Sequence, residues 1–379
     1  MPQPSRASFD IPDDVAYLNC AYLSPLPKAV TEAGQRAVLR KARPWEILYN
    51  DFFEEVEALR AAFASLIGAG AGDVAIVSSS AYGISTAAAN LELTPGDNVV
   101  IAASEHASTF HRWRIAACRH QAELREASPT AAESWGEAIA GQIDRRTRAV
   151  SVPHVHWSDG ALFDLEMISQ RARAVGAELI IDGTQSIGAL PLRVSSLQPD
   201  YIVCSAYKWL LCPYGFAFLY VAPKRQGGFP FEEHYFNRQG AEDHEGKLQH
   251  LTGYARGARR FDTAERANFI TVPMSIMALE MLARWSVAEI QRLIAPISEA
   301  IVAGASRLGY RAAETGMRSP HLFGLRRENG LPAGLAGRLR ADSVFVSIRG
   351  DAIRVSPHVF NTEADADRFI KSLDAAGRN

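Results

Sequence analysis

Cysteine is scarce in this sequence, and no two cysteines form a recognised motif. The four among 379 residues are Cys20, Cys118, Cys204 and Cys212, with no C-x-x-C pair and no metal-ligand spacing. A disulfide framework is therefore not indicated, and such cysteine usage is typical of a reducing compartment. A His-Val-His stretch lacks a third ligand at a useful spacing. We expect a cytoplasmic protein with no bound metal.

An excess of charge is also absent. Lysine and arginine number 40 and aspartate and glutamate 42, which gives a formal net charge of −2. This balance offers no electrostatic argument for a nucleic-acid or membrane partner. No apolar run is long enough to span a bilayer, and the first residues lack the apolar core of a signal peptide. We therefore expect no nucleic acid and no membrane as a partner.

The common nucleotide-binding motifs are missing too. Neither G-x-G-x-x-G nor G-x-x-x-x-G-K-[ST] occurs, so a nucleotide-dependent enzyme has poor support. The sequence is instead 47% hydrophobic and 22% charged, an ordinary globular composition. Its length is enough for a large core and predicts two domains.

One lysine stands out because of the residues around it. Residues 201–204 read Tyr-Ile-Val-Cys, a run typical of a buried strand. Lys208 follows, with aromatic and aliphatic residues on both sides. Burial disfavours the ammonium, and a neutral lysine amine attacks carbonyl carbon to form a Schiff base. The alternative is a lysine that snorkels to the surface from a hydrophobic loop.

A second predicted strand, residues 179–181, ends at an aspartate. Asp182 precedes Lys208 in the chain, and each follows a strand of this kind. Ligands of open α/β sheets bind outside the carboxyl ends of the strands. A carboxylate beside a heteroaromatic nitrogen, together with a Schiff-base lysine, is what pyridoxal phosphate (PLP) requires.

The paired motifs resemble a known family. Residues 181–188 read Ile-Asp-Gly-Thr-Gln-Ser-Ile-Gly and residues 205–208 read Ser-Ala-Tyr-Lys. This pairing is similar to the class V aminotransferase family, which includes cysteine desulfurases, selenocysteine lyases, isopenicillin N epimerases and kynureninases. The similarity runs from about Tyr17 to Phe369. It implies an α/β fold, the PLP-dependent transferase fold type I, with a mostly parallel seven-stranded sheet in a large domain and a small α+β C-terminal domain.

The resemblance also implies domain limits and a homodimer. We expect a large PLP-binding domain at residues 16–265 and a small domain at residues 266–379, with residues 1–30 packing near the latter. Residues 224–262 are polar and poorly periodic, and a loop of this length is usually functional. We expect this loop to reach the dimer interface or to cover the site.

Cofactor contacts follow from matching the family's motifs. The turn at Ser79, Ser80 and Ala81 is predicted to hold the PLP phosphate, because a helix start with nearby hydroxyls suits an anion. Simple capping by serine is the alternative. His106 matches the histidine that stacks on the pyridine ring and can exchange protons near neutral pH. It is therefore predicted to be both cofactor-binding and catalytic, together with Lys208 and Asp182.

Four further residues are predicted to bind the cofactor. Trp157 stands where many relatives have an asparagine, and its indole N–H is the donor available to the cofactor's phenolic oxygen. Ser205 and Tyr207 are predicted to reach the phosphate, although relatives have histidine at the tyrosine position. Gln185, in the Asp182 motif, completes this set.

Arg266 is a less direct prediction. Relatives often have a Gly-Thr-Pro sequence here that reaches the partner subunit's phosphate, but this chain has Glu265 and Arg266 instead. Arg266 is predicted to supply that contact with its guanidinium. The alternative is a salt bridge to Glu265 or to Asp262.

Substrate contacts are predicted at both ends of the sequence. Arg354 matches the family's carboxylate-binding arginine, and a guanidinium offers two parallel donors to a carboxylate. The alternative is that Arg354 forms a structural ion pair with an aspartate or glutamate of the protein. Asn19, Ala21 and Tyr22 lie in the segment that passes near the substrate in the family, or else form a turn packed on the core.

The predicted function is a PLP-dependent enzyme acting on an α-amino acid, most simply an aminotransferase. A Cβ–S lyase or an amino-acid epimerase shares the same apparatus, since each begins with removal of the Cα proton, here by Lys208. Residues 310–353 contain no cysteine, which argues against a persulfide-forming desulfurase. Cys20 is a further candidate for a nucleophile, and the alternative is a cysteine that packs in the core. A non-catalytic PLP-fold binding protein is the remaining alternative.

Overall fold

The structure is a computed structural model, and it describes residues 3–130, 133–245 and 248–377. The strands in these residues are β1 (Ala16–Tyr17), β2 (Val74–Val77), β3 (Asn98–Ala102), β4 (Glu123–Ala127), β5 (Thr147–Pro153), β6 (Glu178–Asp182), β7 (Tyr201–Ser205), β8 (Ala217–Val221), β9 (Tyr310–Arg311), β10 (Phe323–Arg327), β11 (Val344–Phe345), β12 (Ser347–Arg349) and β13 (Ala352–Val355). The helices are α1 (Lys28–Lys41), α2 (Asp51–Ile67), α3 (Ser80–Ala89), α4 (Ala107–Arg119), α5 (Trp135–Gln142), α6 (Leu165–Val175), α7 (Val194–Leu197), α8 (Thr271–Trp285), α9 (Val287–Arg307), α10 (Leu335–Ala341) and α11 (Glu363–Gly377).

A seven-stranded sheet forms the centre of the fold, with the order β2-β8-β7-β6-β5-β3-β4. Strand β8 runs antiparallel to both of its neighbours, and the pairs from β7 to β4 are parallel. Strands β3, β7 and β8 are buried at every residue. Continuous burial is typical of a sheet covered by helices on both faces, and it explains the unbroken apolar runs in the sequence. The predicted mostly parallel seven-stranded sheet is confirmed.

The helices begin and end where local chemistry favours it. The side chain of Asp164 accepts a hydrogen bond from the Met167 N–H and so caps the start of α6. The same helix ends at Gly176, whose φ of +77° is in the left-handed region that glycine adopts without strain. Helix α2 ends in the same way at Gly68.

A smaller sheet lies in the C-terminal part of the chain. Its four strands have the order β12-β13-β10-β9, and its neighbouring pairs are antiparallel. Strand β1, near the N-terminus, pairs in parallel with β11, and Asn19 forms a bridge with Ser356. The segment that contains β1 is therefore fixed against residues more than three hundred positions away. Among the described residues, no helix has the length and apolar character needed to cross a membrane.

Two glycines allow close approaches that position the site. A Cβ on Gly83, in α3, would come within 2.6 Å of a Val203 methyl in β7. A Cβ on Gly188, which has a φ of +102°, would come within 2.4 Å of the Trp209 carbonyl oxygen. A side chain at either position is therefore excluded. The first contact packs the first turn of α3 against the middle of β7, and the second joins the Asp182 turn to the segment that carries Lys208.

Candidate active site

The carboxyl ends of β5, β6 and β7 face a cavity, which we call the inner cavity. Its walls include Ser80, His106, Trp157, Asp182, Ser205 and Lys208. Parallel neighbours place their carboxyl ends at one edge of the sheet, so residues far apart in sequence meet here. With Gln185 and Tyr207, which also line it, the inner cavity brings together eight of the sequence-predicted site residues.

Asp182 and Ser205 are joined through one threonine. The Thr184 N–H donates to the Asp182 carboxylate at 2.8 Å, and the Thr184 hydroxyl accepts from the Ser205 N–H at 3.0 Å. The second bond links the turn after β6 to the last residue of β7. The carboxylate is thus held at a fixed position on the floor of the cavity.

Lys208 is half-buried in the wall of the same cavity. Burial lowers the pKa of its ammonium to about 8, although the nearby Asp182 carboxylate works in the opposite direction. The nitrogen also lies 5.6 Å from the centre of the Tyr207 ring. An amine with this pKa is partly neutral near physiological pH, as a nucleophile must be.

The segment after Lys208 is anchored in the core. The Trp209 indole donates to the Gln185 side-chain oxygen at 2.8 Å, and the Gln185 amide donates to the Ala21 carbonyl at 3.1 Å. His321 packs edge-on against Trp209 and contacts the Gln185 carbonyl at 2.7 Å. Both polar ends of the Gln185 side chain are therefore engaged by protein groups. Its predicted contact with the cofactor stays a prediction, and its observed contacts fix the lysine segment.

The start of α3 provides hydroxyls and backbone donors beside Ser205. Ser79 caps the helix by accepting from the Tyr82 N–H at 3.1 Å, so the capping alternative applies to this residue. The Ser205 hydroxyl donates to the Ser80 hydroxyl at 3.1 Å, and both line the inner cavity. Ala81 follows in the first turn of the helix. A hydroxyl pair beside a helix start suits a phosphate group.

His106 lies at the start of α4, where its ring accepts a hydrogen bond from the Ser108 N–H at 3.4 Å. Burial lowers the pKa of the imidazole. The preceding residue, Glu105, is buried, and its side chain accepts from the His106 N–H at 2.6 Å. Burial, with the nearby Asp182 charge, raises the pKa of Glu105 to about 7. This second carboxyl of the inner cavity was not identified from the sequence, although it directly precedes the histidine of the motif.

Trp157 lines the cavity, but its donor is already used. The indole N–H donates to the Ser104 carbonyl at 2.9 Å. An indole has a single N–H, so a contact with the cofactor's phenolic oxygen would have to replace this one, and that contact stays a prediction. The ring lies edge-on to His106, with centroids 5.7 Å apart. Trp157 contributes a wall to the site, fixed by a contact that its sequence position does not indicate.

A second cavity of about 480 Å³ adjoins the first, and we call it the outer cavity. His106, Trp157, Tyr207 and Lys208 line both cavities. Arg354 lines the outer one and is only 2% exposed. Burial, together with the positive charge of a neighbouring arginine, lowers the pKa of its guanidinium to about 10.

The Arg354 guanidinium contacts neutral oxygens of the protein. It donates to the Trp157 carbonyl at 2.8 Å and to the Ser347 hydroxyl at 3.4 Å. Asn19 accepts from that same hydroxyl at 2.8 Å and is not part of either cavity wall. Direct substrate contact by Asn19 is therefore not supported, because its side chain faces Ser347. Ala21 and Tyr22 do line the outer cavity, as predicted for substrate-contact residues.

Arg266 does not line the inner or the outer cavity of its own chain. It forms an ion pair with Asp262 at 3.0 Å, and Asp262 also binds the buried Arg60. The alternative of a salt bridge with Asp262 is thus observed, and contact with the partner subunit's phosphate stays a prediction. No described residue of the 224–262 loop lines either cavity, so this loop does not cover the site of its own chain.

The inner cavity, with its lysine at the carboxyl edge of a mostly parallel sheet, defines a PLP-dependent enzyme of fold type I. Residues 16–318 match the family model for class-V aminotransferases, and the chain belongs to this family. It is 28% identical over 358 residues to the uncharacterized aminotransferase YcbU of Bacillus subtilis, covering 94% of this chain and 91% of YcbU. It is 25% identical over 390 residues to isopenicillin N epimerase of Streptomyces clavuligerus, covering 98% of both chains.

The fold is also similar to solved structures. An apo cysteine desulfurase from Thermococcus onnurineus superimposes with a TM-score of 0.88 at 19% identity, covering 100% of this chain and 99% of the desulfurase. At this identity the likeness concerns the fold alone. Arg354 lies beyond the part of the chain that the family model matches.

Proposed function

We propose that this enzyme acts on an α-amino acid bound between the two cavities, and that its reaction is transamination. The observation that carries the proposal is the continuity of the cavities. Lys208 lines both, with Asp182 on the inner side and Arg354 on the outer side. A carbonyl-reactive amine therefore lies between a carboxylate for a pyridine nitrogen and a guanidinium for a substrate carboxylate.

The residues of the inner cavity fit pyridoxal phosphate. Asp182 would hold the proton on the pyridine nitrogen, and the Ser80 and Ser205 hydroxyls, with the start of α3, would hold the phosphate. His106 would pack against the ring. When bound, the cofactor supplies an electron sink that acidifies the substrate's Cα–H. With the cofactor bound, the Lys208 amine would accept the proton from the substrate's Cα.

A protein persulfide has no support in this chain. Burial raises the pKa of the Cys20 thiol, which disfavours the nucleophilic thiolate. Cys204 and Cys212 are buried as well. Cys118 is exposed, but it belongs to α4 and lines neither cavity. Elimination or epimerisation without such a cysteine remains compatible with the same set of residues.

The reaction type is tested by offering amino acids singly and following keto acid, ammonia, sulfide and the D-isomer together. Transamination predicts at most one keto acid per subunit when no keto-acid acceptor is present, and continuous turnover when one is added. Ammonia or sulfide released in many turnovers without an acceptor would establish elimination instead. Accumulation of the D-isomer alone would establish epimerisation.

A homodimer in a reducing cytoplasm is part of the proposal. The 224–262 loop presents aromatic side chains to solvent, with Phe229 76% and Phe231 52% exposed. An exposed apolar patch of this kind supports a protein partner, here a second copy of the chain. Light scattering on the purified protein should give twice the mass of the chain, and a monomer with full activity would contradict this.

A further inference from the structure

The outer cavity contains more positive charge than one carboxylate balances. Arg349 and Arg354 line it beside Lys208, and among the described residues no aspartate or glutamate does. The Arg349 guanidinium donates to the carbonyl of its neighbour Ile348 at 3.0 Å, and its Nε is buried without a partner. In the described part of the chain, the hydrogen bonds of the Arg354 guanidinium likewise go to neutral oxygens. Both guanidiniums are therefore available to an anion.

The register of the small sheet places these two arginines side by side. Ser347 in β12 lies directly opposite Arg354 in β13, so their side chains share one face. Arg349 is two residues beyond Ser347 on the same strand and lies on that face too. The Arg349 guanidinium is 6.0 Å from the centre of the Trp157 ring, which also lines the outer cavity. The paired positive charges repel each other, in agreement with the lowered pKa of Arg354.

Nearby carboxylates are committed elsewhere. Asp351, in the hairpin turn that follows Arg349, pairs with Arg326 at 3.1 Å. Asp159 pairs with the same Arg326 at 3.0 Å and also contacts His156. Both carboxylates are therefore engaged by Arg326, and neither forms an ion pair with Arg349.

The number of positive charges in the outer cavity indicates how many anionic groups the substrate has. Once Lys208 is committed to the cofactor, two guanidiniums remain in the outer cavity, and the α-carboxylate of an amino acid neutralises one. The other guanidinium is partly buried, and a charge-assisted hydrogen bond to a second anionic group would stabilise it. Resting on the function proposed above, we infer that the substrate is an α-amino acid whose side chain carries a second anionic group, which Arg349 binds while Arg354 binds the α-carboxylate.

Binding of simple acids tests this inference without turnover. Glutarate and pentanoate have the same chain length but two and one carboxylates, so their dissociation constants can be compared by calorimetry on the cofactor-loaded protein. Wild type should bind glutarate roughly 10- to 100-fold more tightly. Arg349→Gln should remove this preference and leave pentanoate binding unchanged. Arg311→Gln, an exposed arginine at the other edge of the same sheet, is the matched control and should keep the preference.

Two results would overturn the inference. Equal affinity of wild type for the two acids would mean that the outer cavity does not recognise a second anion. An equal loss of affinity for both acids in Arg349→Gln would mean that Arg349 only shapes the cavity. Should that variant not fold, Arg349→Lys keeps the charge and should retain part of the preference. A failure of the proposed function is distinct: if amino acids are not substrates, none of them, acidic or neutral, would change the absorption of the bound cofactor, and if the reaction is elimination or epimerisation, the product assay shows it while the preference for glutarate is unaffected.

Discussion

The inner and outer cavities adjoin each other but are built by different parts of the chain. The inner cavity lies at the ends of β5, β6 and β7, and its charged groups have both signs, since Asp182 and Glu105 face Lys208. The outer cavity lies between the N-terminal segment and the small sheet, and its charged side chains are positive. The first arrangement suits a cofactor that must be held and protonated at fixed points. The second suits a choice among anionic substrates.

The largest effect should come from the residue that both cavities share. Lys208→Ala removes the amine that links the cofactor and moves the Cα proton, so turnover should fall below detection. The fold should survive, because the packing of Trp209 next to it does not depend on the amine. Circular dichroism checks the fold, and an amino-acid assay checks the activity. Substantial residual turnover would assign the proton transfer to another group.

Arg354 probes the outer cavity alone. Arg354→Lys keeps the charge but loses the forked geometry, and truncating one partner of such a pair costs on the order of 2–5 kcal/mol. We expect kcat/KM to fall roughly 30- to 5,000-fold with cofactor occupancy unchanged. The variant should also distinguish amino acids poorly from the corresponding amines. Loss of the cofactor with unchanged substrate affinity would make Arg354 structural.

Asp182 probes the inner cavity alone. The amide of Asp182→Asn cannot stabilise a protonated pyridine nitrogen, so kcat should fall roughly 100- to 1,000-fold while the cofactor still binds. Substrate affinity should change little, in contrast to Arg354→Lys. Steady-state kinetics and the absorption of the bound cofactor measure both quantities. Near-normal kcat would show that Asp182 has a different role.

A smaller effect is expected where one residue acts through another. Asn19→Ala removes the acceptor that orients the Ser347 hydroxyl, and thereby one partner of Arg354. One hydrogen bond contributes about 1 kcal/mol, so KM should rise about fivefold at constant kcat. The matched control is Asn98→Ala, because Asn98 contacts Asp144 and Thr147 at the opposite end of β3. An equal rise of KM in Asn98→Ala would mean that the effect of Asn19→Ala comes from general destabilisation of the fold.

These contrasts also show what the sequence reveals. Strands β6 and β7 are continuous apolar runs that end at polar residues, so Asp182 and Lys208 were predictable as neighbours at one edge of a sheet. Their signal is local, since each motif is a strand followed by a turn.

The outer cavity depends on contacts that no local pattern records. Arg349 reaches the site only through the register of β12 against β13. Asn19 reaches Ser347, a partner of Arg354, only through a bridge to Ser356, the residue that follows β13. The acceptor of the Trp157 indole, the Ser104 carbonyl, is more than fifty residues away, so the sequence around Trp157 does not reveal it. For a salt bridge of Arg266 the sequence offered two carboxylates, Glu265 and Asp262. Only the three-dimensional packing shows that the ion pair is with Asp262.

The pKa of Lys208 can be tested by changing the pH, without a substitution in the protein. Its pKa is lowered from 10.5 to about 8 by burial, and the neutral amine is the reactive form. In protein stripped of cofactor, the rate of PLP uptake should therefore rise with pH through about 8 and level off above it. A rate that continues to rise toward pH 10.5 would show an amine in an ordinary aqueous environment.

The most direct test of the central claim is to locate the cofactor on the chain. The purified holoenzyme is reduced with borohydride, digested, and mapped by mass spectrometry. The account predicts one labelled peptide, the one that contains Lys208, and no label in Lys208→Ala. A cofactor fixed to another lysine, or a wild-type protein that takes up none, would contradict it.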